Sequence, residues 1–225
     1  MSGRLRCMDV GIIGGTGPLG RGLATRFAVA GLDVRLGSRD PERAGKVVAD
    51  IAAMCANPDC KLTGVSNMDA AAAEIVFITT PWDGAVSTVK PLAGELAGKP
   101  VVSTLNALVK TGKEFLPMLG PRGSMAGLVA AALPQSMVVA AGHHLPASVL
   151  CDIRATLQAD VLLCSDHPTA KKAVCDLLRQ IEGIRCLDAG SLAQSGALEA
   201  FTAVLINVNM RYGGEATVAI SGLDR

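Results

Sequence analysis

Residues 15–20 read Gly15-Thr16-Gly17-Pro18-Leu19-Gly20, and the segments on either side of them decide the fold. Upstream, Met8 to Gly14 is an apolar run of strand length. Downstream, Pro18 to Ala30 carries helical periodicity until Gly31 stops it. A second strand is expected at Asp33 to Leu36. Each glycine of such a turn has a physical use. Gly15 permits the tight turn, Gly17 lets backbone approach a pyrophosphate, and Gly20 lets the helix pack close to the strand. The helix N-terminus presents free N–H groups and a positive dipole end to an anion. In a chain with 25 glycines the pattern alone says little. Its setting, strand before and helix after, makes it a dinucleotide-binding turn.

Working outward, strands and helices alternate. Asp40-Pro41 starts a helix, with Asp as cap and Pro at the first helical position, running to about Ala56. A strand is expected at Leu62 to Val65, a helical patch at Ala70 to Ala73 and a strand at Ile75 to Thr79. Pro81 breaks that strand, and a helix to about Ala97 follows, then a strand at Val101 to Leu105. Residues 106–123 read as a loop with one helical turn, punctuated by Gly112, Pro117, Gly120, Pro121 and Gly123. Ser124 caps a helix through Leu133, and Met137 to Ala141 is a strand. Beyond it the pattern predicts a helix at Ala147 to Leu157, a strand at Val161 to Cys164, a helix at Pro168 to Glu182 and a strand at Ile184 to Leu187. A long helix from Leu192 to Tyr212 follows, and a strand-like piece, Ala216 to Ile220, covers an edge. The expected fold is therefore α/β, a Rossmann-type doubly wound, mostly parallel sheet with a small α/β extension. Residues 1–145 form the nucleotide-binding part and residues 146–225 the smaller one, the two sharing a core. Half of the residues are hydrophobic and only 3% aromatic, so the core is built from Val, Ile, Leu and Ala, as in helix-covered parallel sheets.

Composition excludes several classes. A net charge of +1 gives no basic footprint for nucleic acid. No apolar run approaches the roughly 18 residues of a membrane span. Met1 to Arg6 is too short a lead to the first strand for a secretory signal. The seven cysteines, Cys7, Cys55, Cys60, Cys151, Cys164, Cys175 and Cys186, are odd in number and scattered, with no Cys-x-x-Cys. They support neither a disulfide framework nor a zinc site, and the expected compartment is the cytoplasm. Cys164 and Cys186 lie in apolar strand-like runs and read as buried small hydrophobes.

The end of the second strand distinguishes the two dinucleotides. An NAD site places an acid there for the ribose hydroxyls. This chain places Gly37-Ser38-Arg39, with Arg43 one turn into the next helix. Guanidinium groups pair with a 2′-phosphate, which a carboxylate would repel. The reading is NADP(H), with Asp40 a helix cap rather than a ribose ligand.

Further segments carry a resemblance. Gly14 to Gly20, Gly37-Ser38-Arg39, Pro81-Trp82, His143-His144-Leu145-Pro146, Leu187-Asp188-Ala189-Gly190-Ser191-Leu192 and Glu199-Ala200-Phe201-Thr202 span nearly the whole chain in order. Together they resemble the NADPH-dependent reductases of coenzyme F-420, the 8-hydroxy-5-deazaflavin hydride carrier. The resemblance implies that Thr16, Gly17, Pro18 and Leu19 contact the NADP pyrophosphate and that Ser38, Arg39 and Arg43 hold its 2′-phosphate. It implies that Thr80, Gly84, Asn106 and Ala147 line the nicotinamide half of the cleft. His143, Leu145 and Thr202 match positions beside the deazaflavin, and a homodimer is implied as well. Two positions depart from the pattern: some members have Ser at Ala200, and members often have a larger residue at Gly142.

The residues agree in one respect. There is no Ser-x-x-x-Tyr-x-x-x-Lys, no Gly-x-Ser-x-Gly and no metal-ligand cluster, and Tyr212 is the only tyrosine. A ketone reductase needs a group to protonate the developing alkoxide. Hydride exchange between two ring cofactors needs instead two rings held about 3–3.5 Å apart in a dry site. His143 is the one candidate hydrogen-bond or proton partner, and Trp82 is a candidate wall. Two other readings stay open: an NADPH-dependent reductase of another small acceptor (imine, ketone, flavin or ferric iron), and a non-enzymatic NADP(H) sensor. On the last helix, Leu198, Phe201, Leu205, Val208 and Tyr212 make one apolar face. It is expected to pack in the core or against a partner subunit, with Thr202 reaching the second ring's pocket.

Overall fold

A computed structural model describes residues 8–55, 61–118 and 120–223. The expectations placed on Met1 to Arg6, Cys7, Ala56 and Cys60 lie outside the described residues. The first half of the chain runs β1 (Asp9–Ile13), α1 (Pro18–Val29), β2 (Asp33–Ser38), α2 (Pro41–Met54), β3 (Leu62–Ser66), α3 (Asn67–Ala71), β4 (Ile75–Ile78), α4 (Ala85–Val89), α5 (Ala93–Leu96) and β5 (Pro100–Ser103). The second half runs β6 (Leu108–Thr111), β7 (Glu114–Pro117), α6 (Met125–Ala132), β8 (Met137–Ala140), α7 (Ala147–Cys151), β9 (Ala159–Leu163), α8 (Pro168–Leu178), β10 (Ile184–Asp188) and α9 (Ser195–Tyr212).

Six parallel strands form the central sheet in the order β3-β2-β1-β4-β5-β8. Its middle strands are the most apolar because helices cover both faces; all four residues of β4, Ile75 to Ile78, are buried. The order reverses between β1 and β4, where ligands of such sheets bind at the carboxyl ends of the strands. One buried cluster joins residues of both parts, among them Val10, Phe27 and Val139 with Leu157, Val161 and Val174. The expected shared core is present. Cys164 and Cys186 are buried, and the five described cysteines are free thiols.

The smaller region pairs β9 with β10 in parallel, and a single antiparallel bridge, Ala140 to Cys164, ties it to β8. Asp160 and Arg185 are direct cross-strand partners in that pair. Their side chains meet at 2.6 Å, and both also hold the following segment through the backbone of Ile220.

Four expectations are corrected. Residues 106–123 contain a hairpin, β6 with β7, turning at Gly112 with φ +60. Its exposed strands lack inward–outward alternation, so periodicity does not reveal them. The helix expected to Ala97 is a chain of short pieces: a 3-10 turn at Trp82–Gly84, α4, a second 3-10 turn at Lys90–Leu92, and α5. Pro91 lacks the N–H a continuous helix needs there. The helix expected to Leu157 ends at Cys151, where Arg26 takes its free carbonyls. Residues 216–220 form no strand; one bond, from the Asp160 amide to the Val218 carbonyl (2.8 Å), stands in for the ladder.

Candidate functional site

The glycine turn sits between β1 and α1 at the switch point of the sheet. Gly14, rather than Gly15, carries the positive φ (+69), and a Cβ there would lie 2.5 Å from Thr80 Cγ2. Gly20 is equally constrained, since its Cβ would meet Gly15 Cα at 2.6 Å. The helix therefore approaches the strand as the motif requires. By contrast, nothing lies within 3.9 Å of the Cβ position at Gly17, so its backbone borders open space. Gly17 is the N-cap of α1 and makes no side-chain cap bond, and no acidic residue stands in the first turn.

That open space is a cleft of about 570 Å³ lined by Gly14, Thr16, Gly17, Ser38, Arg39, Arg43, Asn67, Thr79, Thr80 and Gly84, with Asp40, Pro81, Asp83 and Thr88. Seven of the residues expected around NADP thus share one wall: Thr16, Gly17, Ser38, Arg39, Arg43, Thr80 and Gly84. At the β2 end, Arg39 and Arg43 are exposed and have no ion-pair partner among the described residues. Ser38 is buried, and its hydroxyl oxygen accepts from the Asp40 amide (3.1 Å), leaving its proton free to donate. The Asp40 carboxylate accepts from the amides of Glu42 (3.0 Å) and Arg43 (3.3 Å). It is the cap of α2, as read from its sequence setting. At the opposite end the Thr80 hydroxyl is buried and has no hydrogen-bond partner among the described residues. Buried hydroxyls are nearly always paired, so a ligand group is the natural partner for this one. These features fit NADP: free cations for the 2′-phosphate, a glycine approach for the pyrophosphate and an unpaired hydroxyl toward the nicotinamide.

Pro18, Leu19, Asn106 and Ala147 stand outside that lining. Pro18 is exposed at the first turn of α1, and Leu19 packs on the core. Ala147 begins α7, which packs along α1. Asn106 belongs to a second cluster. The carboxyl ends of β4, β5 and β8 are neighbours, so Thr80, Asn106 and His143 follow one another along the sheet's edge, spanning about 10 Å at the usual strand spacing. Asn106 Nδ2 donates to the His143 carbonyl (3.3 Å), and the Thr202 hydroxyl donates to Asn106 Oδ1 (3.0 Å). His143, Leu145 and Thr202 are all buried. The void bounded by Gly142, His143, His144 and Leu145 has no room even for water.

His143 is 5% exposed, and its Nε2 has no hydrogen-bond partner among the described residues. Burial, with the neighbouring His144 adding to it, lowers its pKa from 6.5 to about 3. It is a neutral imidazole near pH 7: a hydrogen-bond partner and not a proton store. His144 is also buried, and its Nε2 donates to the Leu198 carbonyl (2.8 Å). Trp82 is half-buried against the core and does not line the cleft. Tyr212 is 83% exposed at the far end of α9, which leaves no tyrosine to protonate an alkoxide.

Two site features escape sequence reasoning. Asn67, at the start of α3, uses Oδ1 to accept from the Gly14 amide (3.1 Å) and so shapes the glycine turn across 53 residues. Glu199 is a buried carboxylate bonded to the start of α6. Asn67 carries no local signal, whereas Glu199 belongs to the Glu199-Ala200-Phe201-Thr202 segment.

Comparison with known proteins agrees with this geometry. The family model described as NADP oxidoreductase coenzyme F420-dependent matches residues 9–107. The F420-dependent NADP reductase of Methanocaldococcus jannaschii is 34% identical over 223 residues, 96% of this chain and 100% of the relative. That of Methanothermobacter thermautotrophicus is 31% identical over 215 residues, 92% of each chain. A solved structure of a putative F420 dependent NADP-reductase from Arthrobacter shares the fold, with a TM-score of 0.77 at 24% identity, covering 95% of this chain and 100% of that one. With alignments of this extent to both reductases, the chain belongs to the family of F420-dependent NADP reductases.

Proposed function

We propose that the protein is an oxidoreductase transferring a hydride between NADP(H) and the deazaflavin coenzyme F-420. The observation that carries the reading is the continuous carboxyl edge of the sheet. There an NADP-fitted cleft at β1 and β4 and the Asn106–His143–Thr202 cluster at β5 and β8 lie at the carboxyl ends of neighbouring strands. Residues 1–145 bind the nucleotide, and residues 146–225 complete the acceptor side. Thr16, Gly17, Pro18 and Leu19 serve the pyrophosphate, and Ser38, Arg39 and Arg43 hold the 2′-phosphate. Thr80, Gly84, Asn106 and Ala147 flank the nicotinamide half. His143, Leu145 and Thr202 flank the deazaflavin.

When bound, NADPH and the deazaflavin supply the chemistry, the exchange of a hydride between two ring carbons. The chain's own task is placement. Arg39 and Arg43 anchor one end of the nucleotide. The Thr80 hydroxyl and the Asn106 amide orient the other, and the buried, largely apolar surroundings of His143 and Leu145 keep water away. Neutral His143 offers Nε2 as a hydrogen-bond partner without adding charge next to the acceptor. No helix among the described residues is long and apolar enough to cross a membrane. We place the enzyme in the cytoplasm as a homodimer, for which the exposed apolar face of α9 is the contact.

The test is direct. Purified protein mixed with NADPH and oxidised coenzyme F-420 bleaches the deazaflavin's visible band as NADPH is consumed. NADPH oxidation by imines, ketones, flavins or ferric iron with no deazaflavin response overturns the reading. Tight NADPH binding without turnover of any acceptor does the same.

A further inference from the structure

Thr202 meets Asn106 only because α9 is held at one height and one rotation over the edge of the sheet. A buried carboxylate does much of the holding. Glu199 precedes Thr202 by three residues and so shares its helix face. Its Oε2 accepts from the Met125 amide at 2.7 Å and its Oε1 from the Ala126 amide at 3.0 Å. These amides open α6, where N–H groups have no partner within the helix. The contact is reinforced one turn earlier. The Ser195 and Ser124 hydroxyls lie 2.9 Å apart, and Ser124 itself caps α6 through the Gly127 amide. Gly196 runs so close to the Gly123 carbonyl that a Cβ would stand 2.4 Å from it. α6 in turn packs on β5 and β8, the strands whose ends carry Asn106 and His143.

We infer that Glu199 is a positioning residue for the acceptor ring: by clamping α9 to the start of α6 it sets the register of Thr202 beside Asn106 and His143. The inference rests on the acceptor site proposed above. It explains why a carboxylate is buried in a region where most neighbours are apolar. Each of the two converging N–H donors meets its own oxygen of the one carboxylate, a group that accepts at both ends. Glutamine keeps the shape but turns an NH2 toward one of the donors, so it breaks half the clamp without opening a cavity.

The experiment is steady-state kinetics of E199Q and of the milder S195A, with NADPH binding measured separately by fluorescence. In E199Q the KM for coenzyme F-420 rises about tenfold, the weight of one charge-assisted hydrogen bond, while NADPH affinity stays within about twofold. S195A shows the same split, smaller. An unchanged KM for the deazaflavin overturns the inference, as does an equal loss for both substrates, which marks a general folding defect. Should E199Q fail to fold, S195A decides alone by the same split. Wild-type protein inert toward coenzyme F-420 overturns the proposed function instead. Amide exchange then still tests the clamp: exchange at Met125, Ala126 and residues 199–205 that is no faster in E199Q than in wild type overturns it.

Discussion

At the residue scale, the proposed preference for NADP(H) rests on Arg39. Its guanidinium lines the cleft with Ser38 and has no ion-pair partner among the described residues, while Asp40, the next residue in sequence, is occupied as a helix cap. Replacing Arg39 by Asp removes an attraction and adds a repulsion only where a 2′-phosphate is present. R39D is expected to weaken NADPH about a hundredfold and NADH only a few-fold; equal losses in a binding titration count against the assignment. His143 makes a second prediction, about pH. Its native pKa lies near 3, and the unfolded chain's imidazole titrates near 6.5. Between those values the unfolded state binds more protons, so stability is lost as pH falls below about 6.5. His144, whose pKa burial also lowers, adds in the same direction. Urea midpoints at pH 7 and 4.5 should differ in wild type by more than in H143Q.

At the element scale, short α7 depends on a residue far from it in sequence. Arg26 on α1 is 9% exposed, and its guanidinium donates to the carbonyls of Leu150 (3.1 Å), Val149 (2.7 Å), Asp152 (2.8 Å) and Ala155 (2.9 Å). A five-residue helix has almost no ladder of its own, so these bonds terminate it and redirect the chain. R26A leaves one buried and three part-buried bonds to carbonyls unmade and is expected to cost about 3 kcal/mol in urea unfolding. R26K, with one compact donor head, recovers only part of that. The hairpin β6–β7 is a parallel case. Asn207 of α9 pairs with both the amide and the carbonyl of Phe115, so the hairpin gains order from α9 rather than from its own sequence.

At the scale of the whole molecule, α9 is turned opposite to the core-packing expectation. Its buried residues are Ser195, Glu199, Thr202 and Ala203, while Phe201 (45% exposed), Val204 and Val208 face outward. The inward face is polar because it bonds α6 and the sheet edge; the outward apolar face is the contact of the proposed homodimer. F201E, at the centre of that face, is expected to halve the mass measured by light scattering at micromolar concentration and to leave NADPH binding intact. A monomeric wild type counts against the dimer.

The nucleotide half of the protein was legible in its sequence because its signals are local. A glycine turn between an apolar strand and a helix fixes a phosphate-sized opening. Gly37-Ser38-Arg39 at the end of β2 fixes the charge beside it, and Asp40-Pro41 fixes where α2 begins. Each depends on backbone geometry within a few residues. What required tertiary structure was everything joined over long separations: the assignment of the positive φ to Gly14, braced by Thr80 and Asn67; the ordering of β6–β7 by α9; the ending of α7 by Arg26; and the meeting of Asn106, His143 and Thr202. Periodicity marks α9 as a helix with an apolar stripe, but not which side faces inward. That choice is made by Glu199 and Thr202, whose hydrogen-bonding partners lie 74 and 96 residues away.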